Sequence, residues 1–268
     1  MSLRIQNNVE AFNAQRNLVS NSNQLSKAME KLSSGYRINR ASDDAAGLAI
    51  SEKLRGQIGG LAQANRNAGD AISLVQTGEG ALNEVHSMLQ RVRELAVQYK
   101  NGTLSTSDRG AIQSEVDQLK SEIERVGTDT EFNGTKLLSS AGTVSFQVGA
   151  GDGQQITAAT ISVGAQVSSA VFALSATGAS DIAEIDTAIN NVSAARADFG
   201  SVQNRLEHTV SNLASYQENL TSSESRIRDA DMAQEMAKFS KLQILQQAGT
   251  SMLAQANQAP QSVLSLLR

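Results

Sequence analysis

The side chains that could do chemistry in this sequence of 268 residues are few and scattered. Two histidines, His86 and His208, lie inside helical patterns, without an HExxH motif, a nearby carboxylate pair or a Ser/His/Asp arrangement. An isolated histidine of this kind belongs more often to a helix surface or interface than to a catalytic site. The chain has no cysteine, which excludes disulfides, thiolate metal sites and cysteine nucleophiles. These residues do not predict an enzyme.

Two carboxylate pairs, Asp43–Asp44 and Asp229/Asp231, could be read as metal ligands. Both pairs lie where a helix is expected to begin, and there a carboxylate is already favoured by the helix dipole. The glycines of residues 149–153 lie in an expected hairpin turn, and not between a strand and a helix as a phosphate-binding loop would. We therefore expect no catalytic, cofactor or metal site.

The composition indicates long helices that pack side by side. Aromatic residues make up only 3% of the chain, with no tryptophan and a single proline, which is little for a compact globular core. The net charge of -4 excludes a broad attraction to nucleic acid or to membranes. Residues 1–10 are polar and mixed, so we expect no cleavable signal peptide.

The stretch Leu32–Ile50 is predicted to join two helices. Gly35 offers the left-handed conformation that ends many helices. Ser42 is a candidate N-cap, with Asp43 and Asp44 in the first turn of the next helix. Any one of these signals, taken alone, would favour an ordinary helix–loop–helix connection.

Two arginines of this joint, Arg37 and Arg40, lie near Asp43 and Asp44 in sequence. We expect the guanidinium groups to pair with these carboxylates and so to fix the connection.

Apolar residues at alternating steps of three and four predict five helices. The first is heptad-like and ends near Leu32. Its apolar stripe consists of Ile5, Val9, Phe12, Leu18, Leu25, Met29 and Leu32. The later helices are predicted over 42–99, over 108–127 with its end at Gly127 and antiparallel to its predecessor, over 181–229, and from Met232 onwards.

Residues 128–178 break this helical pattern. Asn133–Gly134 predicts a turn, and two segments with alternating apolar and polar residues flank the loop GAGDGQQ. Alternation of this kind is typical of a β-hairpin. With one lysine against several acids, this region is expected to face solvent.

The last helix carries no charged residue from Leu242 to Leu267. Its glutamines exclude a bilayer span, which needs about 20 mostly apolar residues. An uncharged helix with an apolar stripe is best buried against other copies of the chain or beside a polar space, since alone it would be poorly ordered.

A polar surface is predicted over Gln90–Gln98. Val92 and Leu95 follow the apolar stripe, whereas the charged Arg91, Arg93 and Glu94 occupy other faces. This arrangement is typical of a solvated helix face, and the alternative is a subunit contact surface.

Five motifs in both arms of the chain closely resemble the bacterial flagellin family, in a short form without the large outer domains. They are LSSGYRINRASDDAAGLAI, QRVRELAVQ, EFNGTKLL, SRIRDADMA and QAPQSVLSLLR. The resemblance covers residues 1–140 and 181–268, and the central segment carries little of it.

The resemblance implies a mainly α fold: an elongated antiparallel helical bundle with a small β-hairpin region, and terminal helices that pair as a coiled coil. It also implies four parts. Residues 1–41 would form an inner-tube helix and its connecting spoke, 42–180 and 181–230 the outer-tube domain, and 231–268 the C-terminal inner-tube helix. The joint residues Gly35, Arg37, Arg40, Asp43 and Asp44 would then set the step between the two layers.

The function implied is that of an extracellular structural subunit that polymerises into the flagellar filament, the propeller for swimming. The implied partners are other copies of the chain, the flagellar export apparatus, a chaperone of the C-terminal helix, the filament cap and hook-junction proteins. No nucleic acid and no membrane insertion are expected.

Family members are also read by host innate receptors, at positions that match Gln90, Arg91, Leu95 and Glu115 and that overlap a subunit contact. Intracellular sensors use the C-terminal leucines, here Leu264, Leu266 and Leu267. Together with Arg268, these leucines would also serve assembly.

Two alternatives remain. A hook–filament junction protein shares the N-terminal signature but matches less fully at its C-terminal end. A secreted coiled-coil effector or adhesin would share the heptads, with no reason to carry signatures at both ends.

Overall fold

A computed structural model describes residues 8–175 and 181–266, with the side chains of residues 169–170 and 259–266 outside that description. The chain forms the helices α1 Val9–Ser34, α2 Ala45–Tyr99, α3 Thr106–Asp129, α4 Val163–Gln166, α5 Asp181–Arg228 and α6 Met232–Leu266. Its strands are β1 Glu131–Phe132, β2 Thr135–Lys136, β3 Gly142–Gln147 and β4 Gln155–Thr160, and a 3₁₀ turn covers Ser169–Phe172. This confirms the mainly α fold with a small β-hairpin region. Within the described residues, no helix combines the length and the hydropathy that a membrane span requires.

Local capping sets where the first and third helices begin and end. Gly35 ends α1 in the left-handed conformation, with φ of 75°, as the sequence predicted. Ser105 and Asp108 begin α3 with a reciprocal capping box. The predicted end of this helix at Gly127 is wrong, because α3 continues to Asp129. Gly127 is instead a site of close packing, where an added Cβ would lie 3.3 Å from the Cβ of Val163.

The chain divides into two compact units. The first contains residues 1–56 and 219–268, and the second contains residues 57–218. Both α2 and α5 contribute to each unit, so these divisions fall within helices. The boundaries after residues 41 and 230 that the family resemblance implies stay a prediction.

The second unit is built on α2, α3 and α5. Their buried residues follow helical steps, as Val85, Leu89 and Val92 do on α2, and each fully buried side chain of this size stabilises the fold by about 1.5–3 kcal/mol. Ion pairs show that α5 runs antiparallel to α2, with 2.6 Å between Arg93 Nε and Asp186 Oδ1 and 3.7 Å between Arg196 Nη2 and Glu79 Oε1.

The β-hairpin region lies against this core. Asn133 and Gly134 both have positive φ, of 48° and 79°, and form the predicted turn between β1 and β2. Strands β3 and β4 pair antiparallel, with Phe146 opposite Ile156. The expectation that this region faces solvent is wrong for one of its faces, because Ile156 and Ala158 are buried in the core. Alternation along β4 places every second side chain on that inner face.

In the first unit, α1 and α6 pair lengthwise and antiparallel. Near one end of the pair, Asn8 Nδ2 donates to the carbonyl of Ala256 at 2.8 Å, and further along Leu18 packs against Gly249. The less exposed residues of α6 follow steps of four and three, namely Glu235, Phe239, Leu242, Gln246, Gly249, Leu253 and Ala256. This spacing is that of a heptad seam and agrees with the expected pairing of the terminal helices.

Candidate functional site

The first candidate surface is an apolar face of α1 that α6 leaves uncovered. The sequence predicted one apolar stripe on this helix, but the structure separates it into two. Leu18, Leu25 and Leu32 are half-buried, whereas Val9 and Phe12 are more than half exposed, with 61% for Phe12. The exposed residues Val9, Phe12 and Val19, with Arg16 among them, form the outer face of α1. Met29 is also exposed, and Ile5 lies outside the described residues.

The second candidate surface is a groove between α1 and α6, with a volume of about 1050 Å³. Its α1 wall carries the amide side chains Asn13, Asn17 and Asn21, and its α6 wall carries the exposed apolar side chains Leu245 and Met252. A groove with one polar wall and one apolar wall fits the expectation that α6 lies beside a polar space or another copy.

In the joint between α1 and α2, the carboxylates of Asp43 and Asp44 have different roles from those that the sequence predicted. Ser42 is not the N-cap of α2. Asp44 takes that role, because its Oδ1 accepts a hydrogen bond from Gly47 N at 2.9 Å. Asp43 lies before the helix, where its Oδ2 accepts from the backbone N–H groups of Arg40 at 3.0 Å and Asn39 at 3.2 Å. These two bonds lower the pKa of the Asp43 carboxyl.

The two arginines of the joint do not pair with these aspartates, so that prediction is wrong. Arg40 Nε donates to Glu30 Oε1 at 2.8 Å, back on α1. Arg37 Nη2 donates to the carbonyl of Ile227 at 2.5 Å, and Arg37 N donates to the carbonyl of Arg228 at 2.7 Å. The arginines therefore fix the joint to α1 and to the end of α5.

Arg228 is a central residue of the joint that sequence reasoning missed. Its side chain is only 13% exposed, and Nη1 donates to Glu52 Oε1 of α2 at 2.7 Å. The guanidinium carbon lies 4.8 Å from the centre of the Tyr36 ring, within cation–π distance. The hydrogen bond from Arg228 lowers the pKa of Glu52. The signal available in sequence was the place of Arg228 in the motif SRIRDADMA.

Of the four residues that the family resemblance matches to a receptor site and subunit contact, the structure pairs Arg91 of α2 with Glu115 of α3. Arg91 pairs with Glu115 at 2.9 Å and with Glu94 at 3.0 Å, and the hydrogen bonds to Glu115 and then to Glu94 raise the pKa of Arg91. Gln90 Nε2 lies 2.9 Å from His86 Nε2. Leu95 does not belong to this surface, because it is 2% exposed and packs in the core.

The C-terminal assembly residues lie largely outside the described part of the structure. Leu264 and Leu266 lie in the backbone of α6, with side chains outside the description, and Leu267 and Arg268 lie outside the described residues.

Both arms of the chain match one protein family. Residues 5–143 match the family model of the bacterial flagellin N-terminal helical region, and residues 182–267 match that of the C-terminal helical region. Flagellin from Halalkalibacterium halodurans is 54% identical and covers 98% of this chain and 99% of its own length. Flagellin from Bacillus subtilis is 49% identical, over 99% of this chain and 100% of its own.

Solved structures agree with this assignment. The crystal structure of Bacillus cereus flagellin is 34% identical and covers 55% of this chain and 88% of its own, with a TM-score of 0.51. A putative flagellar hook-associated protein from Vibrio parahaemolyticus covers 70% of this chain and 100% of its own, with a TM-score of 0.58. At 17% identity, that likeness shows the fold alone. From its two family regions and its relatives, the chain belongs to the bacterial flagellin family.

Proposed function

We propose that this chain joins the flagellar filament mainly through the exposed apolar side chains of α1 and α6. As a flagellin it is a structural subunit of the extracellular filament and not an enzyme. The observation that carries the proposal is the outer face of α1, where Val9, Phe12 and Val19 are all more than half exposed.

The cost of leaving these side chains in water supports the proposal. Burying a side chain of this size contributes about 1.5–3 kcal/mol, and a soluble protein gains nothing from exposing several on one helix. The residues of α1 that pack on α6 are different ones, so among the described residues the outer face is left open to a neighbouring copy.

Seeded polymerisation of two variants at one position tests this role. Phe12→Gln removes the apolar group, and Phe12→Leu keeps an apolar side chain with good helix propensity. A loss of about 2 kcal/mol per subunit contact corresponds to an increase of about thirty-fold in the critical concentration. We expect that increase for Phe12→Gln and a change within about threefold for Phe12→Leu. Elongation of Phe12→Gln at the wild-type rate would refute the role of this face.

The other predicted sites keep their proposed roles. Gln90, Arg91 and Glu115 would form a contact along the filament, and the same exposed surface would meet host innate receptors. The joint at Gly35, Arg37, Arg40, Asp43 and Asp44 would set the step between an inner tube, made by residues 1–41 and 231–268, and an outer layer made by residues 42–230. The contacts of Arg37, Arg40 and Arg228 support this role. Arg37 ties the joint to the end of α5, Arg40 ties it to α1, and Arg228 of α5 pairs with Glu52 of α2.

Further partners are proposed from the family resemblance. The flagellar export apparatus would deliver the subunit, and a chaperone would cover the exposed apolar residues of α6, such as Ile244, before export. The filament cap and hook-junction proteins would contact the same terminal helices at the ends of the polymer. The C-terminal leucines Leu264, Leu266 and Leu267 would serve assembly and intracellular sensing.

A further inference from the structure

We propose that the exposed methionines of α1 and α6 are oxidation sites, and that their conversion to sulfoxides by peroxide prevents a free subunit from joining a filament. This inference rests on the proposed function, since it requires that α1 and α6 carry the main subunit contacts.

The distribution of methionine in the fold is the first observation. Of the six methionines in the sequence, four are exposed, with relative exposures from 46% to 64%. These are Met29 on α1 and Met232, Met236 and Met252 on α6. Met88 is different, because it is half-buried on α2 and packs against the core of the second unit. Met1 lies outside the described residues.

Methionine is also a large share of the apolar surface that these two helices offer. Among the described side chains of α1 and α6, nine large apolar groups are exposed, and four of them are methionines. Met252 lines the groove beside Leu245, and Met232 and Met236 lie one turn apart on α6. A flexible thioether adapts well to a contact surface, so a large part of this surface depends on sulfur remaining apolar.

The chemistry needs only a peroxide and no enzyme. A lone pair of the thioether sulfur attacks one oxygen of hydrogen peroxide, the O–O bond breaks, and the departing hydroxide takes the remaining proton and leaves as water. Sulfur is oxidised by two electrons, the peroxide is reduced by two, and the product is a sulfoxide. The sulfoxide is polar, and burying it in a contact without a hydrogen-bond donor is unfavourable.

Because these methionines are exposed in the free subunit, peroxide should oxidise free subunits in preference to assembled ones. Before assembly the four methionine residues are exposed to solvent, whereas in the proposed polymer a neighbouring copy covers them. Oxidation should therefore remove free subunits from assembly and leave existing filaments largely intact.

The test treats purified monomer with hydrogen peroxide, locates the sulfoxides by peptide mass spectrometry and measures elongation on untreated seeds. We expect oxidised wild-type subunits to elongate at least tenfold more slowly, with an unchanged far-UV circular dichroism spectrum. Methionine sulfoxide reductase should restore elongation, which separates thioether oxidation from other damage and needs no variant. Filaments treated in parallel should form sulfoxides at the four sites several-fold more slowly than monomer does.

Two variants sharpen the comparison. A protein with Met29→Leu, Met232→Leu, Met236→Leu and Met252→Leu should elongate equally well before and after treatment, whereas Met88→Leu alone should remain as sensitive as wild type. Equal elongation of untreated and oxidised wild-type subunits would overturn the inference and leave the proposed function standing. Failure of untreated wild-type subunits to elongate seeds would overturn both.

Discussion

Replacing Gly47 with alanine should loosen the beginning of α2, although alanine is normally the better helix former. Gly47 N donates to the capping carboxylate of Asp44 at 2.9 Å, in the first turn of the helix. A Cβ on Gly47 would overlap with Asp44 Oδ2 and would lie 2.8 Å from Cδ1 of Ile38. Neither group can move freely, because Asp44 caps the helix and Ile38 is fully buried.

The expected size follows from three contributions. Losing an N-cap costs about 1 kcal/mol, and displacing a buried side chain costs about 1–2 kcal/mol. Alanine regains up to about 1 kcal/mol through its helix propensity. The net expectation is a local destabilisation of about 1–2 kcal/mol. Gly56 is the matched control on the same helix, since a Cβ there would have no atom within 4 Å apart from the nearby backbone of α2 and its chain neighbours. Gly56→Ala should therefore stabilise α2 by about 0.5–1 kcal/mol.

Amide hydrogen exchange can measure how each of the two substitutions changes the local stability of α2. For Gly47→Ala, we expect amides at the beginning of α2 to exchange about five- to thirty-fold faster than in the wild-type protein, which corresponds to 1–2 kcal/mol. For Gly56→Ala, exchange in α2 should slow or stay unchanged. If both variants protected the helix to the same extent, the proposed conflict between Cβ, Asp44 and Ile38 would be refuted.

Three further predictions concern the core, the pH response and the C-terminus. Leu95→Ala should lower the free energy of unfolding by about 2–5 kcal/mol because it leaves a cavity in the core. Arg91→Ala should leave it close to the wild-type value because the ion pairs of Arg91 are exposed, and urea titrations of both variants can check this difference. Hydrogen bonds from the Ser105 side chain and backbone lower the pKa of Asp108, so the cap of α3 contributes stability above the ordinary pKa of 3.8 that is lost as the pH falls through the lowered value. NMR amide protection at the start of α3 should therefore decrease in acid, and Asp108→Asn should remove that pH dependence. Deletion of residues 264–268 should abolish elongation on seeds while circular dichroism shows the remaining helices intact, and normal elongation of the truncated chain would contradict this role.

The helices were predictable because their apolar spacing is regular over many turns. The same regularity could not show which face of α1 packs on α6 and which face stays exposed. Leu18, Leu25 and Leu32 lie on one side of the helix and Val9 and Phe12 on an adjacent one, yet both sets fit steps of three and four. Which set is covered depends on the register between α1 and α6, in which Leu18 packs on Gly249. This register involves residues from opposite ends of the sequence, so local spacing does not determine it.

For the joint, the sequence predicted the roles that follow from residue type alone better than it predicted which residues contact each other. Gly35 ends α1 as expected, because its positive φ is a local property of glycine. The partners of Arg37 and Arg40 depend on tertiary structure, since a long side chain reaches groups that are far away in sequence. Ser42 and Asp44 are equally good caps by type, and the turn between residues 40 and 43 decides for Asp44.

The joint also explains how the two ends of the chain can find each other. Pairing of α1 with α6 brings together residues as distant as Asn8 and Ala256, and closing so long a loop has an entropic cost. Hydrogen bonds from Arg37 N to Arg228 O and from Ala230 N to Gly35 O close the same loop directly beside both helices. Once the joint has formed, α1 and α6 are held as neighbours, and their pairing can extend outward turn by turn. We therefore expect the joint to contribute to assembly by preparing the helix pair that carries the outer face of α1.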